Sequence, residues 1–180
     1  MREGMSFTEL SVERLAVAAG SSRATFYVYF KDKSVLLQRL AARVLAELAD
    51  SAEVSWTYKP DFSPSDMRTG VERVVARFRD RQQIFAAISE ASHYSPEVGQ
   101  IYRDSIHANA DHIKRFLEEA QADGRTGDID ATESSRMIAW MVERSCQQML
   151  PEIEPAGDAQ FVHTLTQLLW ASVFGEYASS

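Results

Sequence analysis

The chain has 180 residues, of which 45% are hydrophobic and 25% are charged. This composition is ordinary for a globular protein and excludes a chain that is disordered throughout. The net charge of −7 is unevenly spread, since residues 1–50 carry seven Lys and Arg against six Asp and Glu, whereas residues 51–180 carry twelve against twenty. Phosphate contact depends on local positive charge, so any contact with nucleic acid is expected from the first fifty residues.

Cysteine content and hydropathy predict a cytoplasmic protein. Cys146 is the single cysteine, which excludes an intramolecular disulfide and a metal cluster built on thiolates. That is compatible with a reducing compartment. Residues 1–10 lack the apolar run of a signal peptide, and no apolar stretch approaches the ~18 residues of a membrane span. We therefore expect no membrane partner.

Every strongly periodic segment has a helical period, which predicts an all-α fold. Three helices are expected in the first fifty residues, each after an N-cap residue: 12–19 after Ser11, 23–30 after Ser22 and 33–50 after Asp32. Residues 51–64 contain two prolines and are predicted to connect these helices to the rest. Five more helices are expected, over 65–80, 83–94, 96–123, 131–149 and 158–177.

Residues 11–33 are predicted to form two short helices joined by a tight turn, which is helix-turn-helix geometry. The small side chain of Ala16 lets the second helix cross the first closely. Gly20 permits the positive φ that a sharp turn often needs. Phe26 and Phe30 are four residues apart and share one face, which suits a small core.

The same segment resembles the signature of the TetR family of bacterial transcriptional regulators. The residues that carry the resemblance are Leu15-Ala16-x-x-Ala19-Gly20-x-Ser22-x-x-Thr25-Phe26-Tyr27-x-Tyr29-Phe30-x-x-Lys33-x-x-Leu36-Leu37. Two further runs are similar to the EthR group of that family, Met141-x-Glu143-Arg144 and Trp170-x-x-x-Phe174-Gly175-Glu176. The resemblance implies a repressor that binds double-stranded operator DNA as a homodimer and is released by a ligand. It divides the chain into a DNA-binding segment with a connecting helix, 1–50, and a ligand-binding and dimerisation domain, 51–180.

The resemblance also implies which side chains contact DNA. The helix after Ser22 would lie in the major groove, where Arg23 and Thr25 are the candidates for base-edge contacts. Tyr27 and Tyr29 are similar to phosphate or base contacts of the family.

Phosphate contacts are expected from three further positions. Lys33 is similar to the family's phosphate clamp, and Ser11 and Thr8 could hold a phosphate at the start of the first short helix. Ser22 is a further candidate for DNA contact. Plainer interpretations remain open: Ser11 and Ser22 as N-caps, a role that can coexist with DNA contact, and Tyr29 as a core residue.

Members of the family carry one more helix before the one that Ser11 opens, whereas ten residues precede Ser11 here. A misassigned start or a truncation explains this, and we favour that explanation. The alternative is a helical ligand-binding or dimerisation module whose DNA binding is impaired.

The helix predicted over 96–123 has an apolar stripe that contains one polar residue, Asn109. A polar group on an inward face needs a partner, so it is either satisfied within the core or orients a small, mostly apolar ligand. Six further side chains are candidates for the same cavity, although each is also an ordinary core residue type: Phe78, Phe85, Tyr102, Met137, Trp140 and Met141.

The last two predicted helices are apolar on more than one face, which indicates a second packing partner. The family forms its dimer through this pair of helices. The candidate interface residues are Met149, Phe161, Leu169, Trp170, Val173 and Phe174.

Sequence spacing gives no support to an enzyme. The four histidines form no i,i+4 pair, no glycine-rich phosphate loop is present, and no nucleophile–base arrangement can be proposed. We therefore expect no catalytic residue, no metal ligand and no cofactor.

Overall fold

The structure is a computed structural model that describes residue 7 and residues 9–55 and 57–175, with only the backbone described over 48–55. Within these ranges every regular element is a helix and no β-strand is present, as predicted. No helix in the described part of the chain is long and apolar enough to cross a membrane.

Eight α-helices follow the predicted order along the described chain. They are α1 Val12–Ala18, α2 Arg23–Tyr29, α3 Lys33–Ser55, α4 Pro64–Asp80, α5 Gln82–Ser92, α6 Pro96–Ala122, α7 Ala131–Met149 and α8 Asp158–Phe174. Two short 3-10 helices, Leu150–Glu152 and Pro155–Gly157, connect α7 to α8. The main difference from prediction is α3, which continues past Asp50 into the segment expected to be a connector.

The helices form two compact units whose boundary differs from the division at residue 50. Among the described residues, the first unit contains those up to Leu45 together with Gln83–Arg103, and the second contains those from Ala46 to Gln82 together with those from Asp104 onward. The difference arises because most of α5 and the start of α6 pack with the N-terminal helices. Buried apolar residues of the first unit include Phe26, Leu37, Ile88 and Val98.

The turn between α1 and α2 is built as the sequence predicts. Gly20 has a φ of +63°, and the backbone N–H groups of Gly20 and Ser21 donate to the carbonyls of Val17 and Ala16 at 3.0 and 2.8 Å. These two bonds form a Schellman motif, which satisfies the last carbonyls of α1 and reverses the chain sharply.

In the second unit, an arginine fastens the C-terminal end of α4 to the connection between α7 and α8. The Arg79 guanidinium donates to the Asp158 carboxylate at 2.6 and 3.1 Å, and to the carbonyl oxygens of Leu150 and Ile153 at 2.6 Å each. Such a bidentate, charge-assisted contact fixes geometry as well as adding energy. It holds the start of α8 against α4.

Candidate DNA-binding helix-turn-helix and effector domain

Helix α2 is held by its N-cap and by one buried side chain. The Ser22 hydroxyl accepts the Thr25 backbone N–H at 3.1 Å and lies 2.9 Å from the Thr25 hydroxyl. Phe26 is the buried residue of the helix, and its ring contacts those of Tyr27 and Phe30 at centroid distances of 5.5 and 5.3 Å. The cap and this aromatic contact orient a helix of only two turns.

The side chains predicted to contact DNA on α2 all lie on the surface. Arg23, Thr25, Tyr27 and Tyr29 are exposed. The Arg23 guanidinium lies 5.7 Å from the centre of the Tyr27 ring, a cation–π contact that limits the directions the arginine can take. Exposure of Tyr29 disfavours its alternative interpretation as a core residue.

Ser11 and Thr8 were the candidates for phosphate contact before α1. Ser11 is exposed and its hydroxyl accepts the Arg14 backbone N–H at 3.2 Å, so it acts as an N-cap. Thr8 lies outside the described residues.

Lys33, the predicted phosphate clamp, is half-buried and engaged within the chain. Its ammonium group donates to the carbonyl oxygens of Phe7 and Leu10 at 3.2 and 3.3 Å, and it lies 5.5 Å from the centre of the Phe7 ring. The Phe7 N–H in turn donates to Glu90 of α5 at 3.3 Å. Lys33 therefore fastens the segment before α1, and this use competes with phosphate contact.

Val28 was not among the predicted DNA contacts, although it lies within the helix-turn-helix motif. Val28 is 78% exposed on α2. The available signal was its spacing of two residues from Phe26, because residues two apart in a helix point to nearly opposite sides.

The predicted effector residues on α4, α5 and α6 are in or near the interior. Phe78, Phe85 and Tyr102 are buried, and Asn109 is half-buried on the largely apolar inner side of α6. Phe85 and Tyr102 belong to the first unit, whereas Phe78 and Asn109 belong to the second.

The predicted effector residues on α7 lie elsewhere. Met137 is 69% exposed, and Trp140 and Met141 are half-buried. The Arg144 guanidinium lies 5.8 Å from the centre of the Trp140 ring. Met137, Trp140 and Met141 were all predicted to line a cavity. The exposure of Met137 disfavours that role for it, whereas the role stays a prediction for Trp140 and Met141. The buried residues of α7 are Ser135, Ile138, Ala139, Glu143 and Cys146.

Glu143 is a buried carboxylate on α7 that lies within a run similar to the EthR group. One of its oxygens lies 3.5 Å from the Arg144 guanidinium, which compensates part of the cost of burial. Burial raises the pKa of the nearby Cys146 thiol to about 12, and the negative charge of Glu143 adds to that shift. A thiol with that pKa stays protonated at neutral pH, so Cys146 behaves as an apolar core residue.

The candidate dimer residues are divided between the interior and the surface. Leu169, Trp170 and Val173 are buried inside the chain itself, and Phe174 is half-buried with its ring centroid 4.4 Å from that of Trp170. Prediction assigned all four to an interface between two chains, whereas the structure uses them mainly to pack α8 into its own unit.

Met149 and Phe161 line an open groove of about 370 Å³ on the outer side of α7 and α8. Leu168, which the candidate set omitted, is 56% exposed beside them. The groove is mostly apolar, and its lining residues are Ser145, Met149, Ile153, Gly157, Gln160, Phe161, Thr164, Leu165 and Leu168. No cluster of three potential metal-ligating side chains is present in the described ranges.

Two family models match the chain. The model described as "Bacterial regulatory proteins, tetR family" matches residues 6–40, which contain the helix-turn-helix. The model described as "Transcriptional regulator EthR, C-terminal domain" matches residues 67–175, more than half of the chain. Fold, motif and matches together define a DNA-binding helix-turn-helix transcriptional regulator. The chain belongs to the TetR family, with a C-terminal domain of the EthR type.

Relatives and solved structures agree with this assignment. The chain is 27% identical to the HTH-type transcriptional regulator EthR of Mycolicibacterium smegmatis over 96% of this chain and 81% of that protein, and 27% identical to EthR of Mycobacterium tuberculosis H37Rv over 97% and 82%. Among solved structures, the TetR family regulator PfmR from Thermus thermophilus matches with a TM-score of 0.74 at 17% identity, over 97% of this chain and 89% of that one. A putative TetR-family regulator from Mesorhizobium loti matches with a TM-score of 0.71 at 16% identity, over 92% and 87%. At those identities the structural likeness shows the fold alone.

Proposed function

We propose that the protein is a repressor that binds a pseudo-palindromic operator as a homodimer and is released by a small, mostly apolar effector. The observation that carries the proposal is α2, a helix with one buried side chain that presents Arg23, Thr25 and Tyr27 to the surface. The cytoplasm, where bacterial DNA lies, is the expected location.

The surface at α2 suits the major groove of DNA. Three basic side chains are exposed here: Arg23 on α2, Lys31 between α2 and α3, and Arg39 on α3. They can contact phosphates or base edges. Arginine bidentate to guanine is the commonest specific contact in that groove, and its stacking on Tyr27 orients Arg23 before binding. We therefore assign base contact to Arg23 and Thr25, with supporting contacts from Tyr27 and Tyr29.

A homodimer is supported by the outer groove of α7 and α8. Met149 and Leu168 are large apolar side chains that remain exposed there, and Met137 is exposed on the same helix as Met149. A second copy offers the same apolar surface through a two-fold axis, and two copies supply the two recognition helices that a pseudo-palindrome requires.

Effector binding is supported by the inner side of α6. Asn109 is half-buried on a side where Ile106 and Phe116 are buried, and the half-buried Ser105 and His112 lie beside it. An amide in an apolar environment can fix the orientation of a ligand through one hydrogen bond. We propose Asn109 for that role, with Phe78 as part of the apolar wall.

The test is a gel-shift titration against the intergenic DNA beside the protein's own gene. Wild-type protein should bind specifically, and Arg23→Ala should cost about 1–3 kcal/mol of binding free energy if Arg23 reads a base. Arg68→Ala is the matched control, because Arg68 is exposed on α4, is not part of the helix-turn-helix segment, and pairs with Glu72 at 2.9 Å.

Two results would count against the proposal. If Arg23→Ala binds the operator with the same affinity as wild type, Arg23 does not contact a base. Absence of specific binding to any DNA would favour a ligand-binding or dimerisation module instead.

A further inference from the structure

The most exposed large apolar side chain in the described part of the chain lies on α2, the proposed recognition helix. Val28 exposes 78% of its surface, and the next, Val17 on α1, exposes 70%. Scattered apolar residues on a surface are normal, but Val28 lies within a helix whose other outward side chains can contact DNA.

The position of Val28 follows from the packing of α2. Phe26 is buried, and Val28 is two residues further along the helix, about 200° around the axis. Ala24 and Thr25 precede Val28 by four and three residues, so the three side chains share the outward surface. All three are exposed.

Nothing in the chain's own packing requires valine here. Alanine has a higher helix propensity than valine, and at so exposed a position it would lose little internal contact. The β-branched side chain also has few rotamers, so its two methyl groups are held in nearly fixed positions before any partner arrives.

We propose that Val28 determines operator specificity by contacting the C5-methyl group of a thymine in the major groove. This inference rests on the proposed DNA binding through α2. The major-groove edges of the bases otherwise present hydrogen-bond donors and acceptors, and the thymine methyl is the group there that an apolar side chain contacts favourably. The contact is continuous with those assigned to Arg23 and Thr25, so the same docking of the helix serves all three.

The experiment begins with an operator selected from random double-stranded DNA by the wild-type protein. Each thymine is then replaced singly by deoxyuridine, which keeps base pairing and removes only the methyl group. Affinity is measured by fluorescence anisotropy at one salt concentration, because affinities at different salt concentrations are not comparable.

We expect one thymine position per half-site at which the replacement weakens wild-type binding about four-fold, the effect of one buried methyl group. Val28→Ala removes the contact from both half-sites of the dimer, so it should bind the thymine operator about 16-fold more weakly than wild type, and it should show no further loss with deoxyuridine at that position. Val17→Ala is the control, because Val17 is also exposed but lies on α1, and it should keep the wild-type response to deoxyuridine. Thermal unfolding confirms that both variants are folded.

Two results would overturn the inference alone. One is a selected operator in which no thymine replacement affects wild-type binding, and the other is Val28→Ala retaining the full response to deoxyuridine. A wild-type protein that selects no DNA sequence would instead overturn the proposed function, and the role of Val28 with it.

Discussion

The ammonium group of Lys33 has two chemical uses: contact with a DNA phosphate, or hydrogen bonds to the backbone that precedes α1. In the structure it donates to the carbonyl oxygens of Phe7 and Leu10, within 3.3 Å of both. The same Phe7 residue reaches Glu90 through its N–H. Lys33 is therefore part of the chain of contacts that joins the N-terminal segment to α5.

Lys33→Met keeps the aliphatic stem and removes the ammonium group, so it separates the two uses. We expect a loss of about 1–2 kcal/mol of unfolding free energy, because hydrogen bonds from a charged donor are lost. Urea denaturation provides the measurement, and Lys31→Met is the control, since Lys31 is exposed. If stability is unchanged while the salt dependence of DNA binding flattens by about 0.9 per half-site, Lys33 is a phosphate clamp after all.

At the scale of elements, the start of α4 shows how a helix cap is reinforced by charge. The Ser63 hydroxyl and backbone N–H both donate to Asp66, at 2.6 and 2.9 Å, and the Asp66 N–H donates to the Ser63 hydroxyl at 3.3 Å. The Lys59 ammonium lies 3.0 Å from the other carboxylate oxygen. The Ser63 hydrogen bonds and Lys59 lower the pKa of Asp66 from its ordinary 3.8 to about 2.

A carboxylate whose pKa is lower in the folded state stabilises the fold above its unfolded pKa and loses that effect as the pH falls through the folded value. Asp66→Asn should therefore cost about 1 kcal/mol at pH 7, after allowance for the solvent that reaches this partly exposed side chain. The cost should shrink below pH 3.8 and be roughly halved at pH 3.

Urea denaturation of both proteins at pH 7 and pH 3 measures this cost. Asp61→Asn, at a carboxylate 3.8 Å from the same lysine and largely exposed, should cost much less. An equal cost of Asp66→Asn at both pH values would contradict the assignment.

The limits of sequence reasoning are clearest in α6 and α7. In α6 the large apolar residues Tyr102, Ile106 and Phe116 are buried, as an inward apolar stripe predicts. In α7 the bulky Met137 is exposed, whereas the small Ala139 is buried. A helical period read from the large apolar residues predicts that those residues are buried. Close packing between two helices instead favours small residues, and the sequence does not show whether large or small residues face the neighbouring helix.

The helix-turn-helix was predictable for a different reason. Its caps and its glycine turn are local, so Ser22 and Gly20 act within a few residues of their own positions. The engagement of Lys33 with Phe7, 26 residues away, depends on tertiary structure and left no local signal.

At the scale of the whole molecule, α8 is apolar on more than one face, and packing within the chain covers part of that apolar surface. Leu169, Trp170 and Val173 are buried within the chain, whereas Leu168 remains exposed beside the groove. The proposed dimer would cover this remaining surface, so a substitution there should affect assembly without disturbing the interior.

Leu168→Glu should convert a dimer into a monomer at micromolar concentration, because an unpaired charge within an apolar interface is costly. Sedimentation velocity measures the change in mass. Tyr94→Glu is the control, since Tyr94 is 51% exposed but lies between α5 and α6, and it should remain dimeric. If the wild-type protein is monomeric under these conditions, the proposed homodimer is wrong. If Leu168→Glu is still a dimer, the interface lies elsewhere on the protein.

The proposed switch connects effector and operator through one equilibrium, which constrains both ligands equally. If an effector stabilises a dimer whose recognition helices no longer match the half-site spacing, operator DNA must weaken effector binding by the same factor. A coupling of about 1–3 kcal/mol, roughly 5- to 150-fold, is sufficient to release the operator. A thermal-shift screen of lipophilic compounds supplies effectors, and calorimetric titration of each with and without operator DNA measures the factor in both directions.

The proposed switch depends on a hydrogen bond from Asn109 on α6 to the effector. Asn109→Leu should bind the effectors more weakly, because one oriented hydrogen bond is lost, and its operator affinity without effector should stay unchanged. His107→Leu, an exposed position on the same helix, should behave as wild type. If effectors bind without changing the affinity for DNA, the proposed switch is wrong and the cavity is passive. If Asn109→Leu binds the effectors with wild-type affinity, the polar contact is made by another residue.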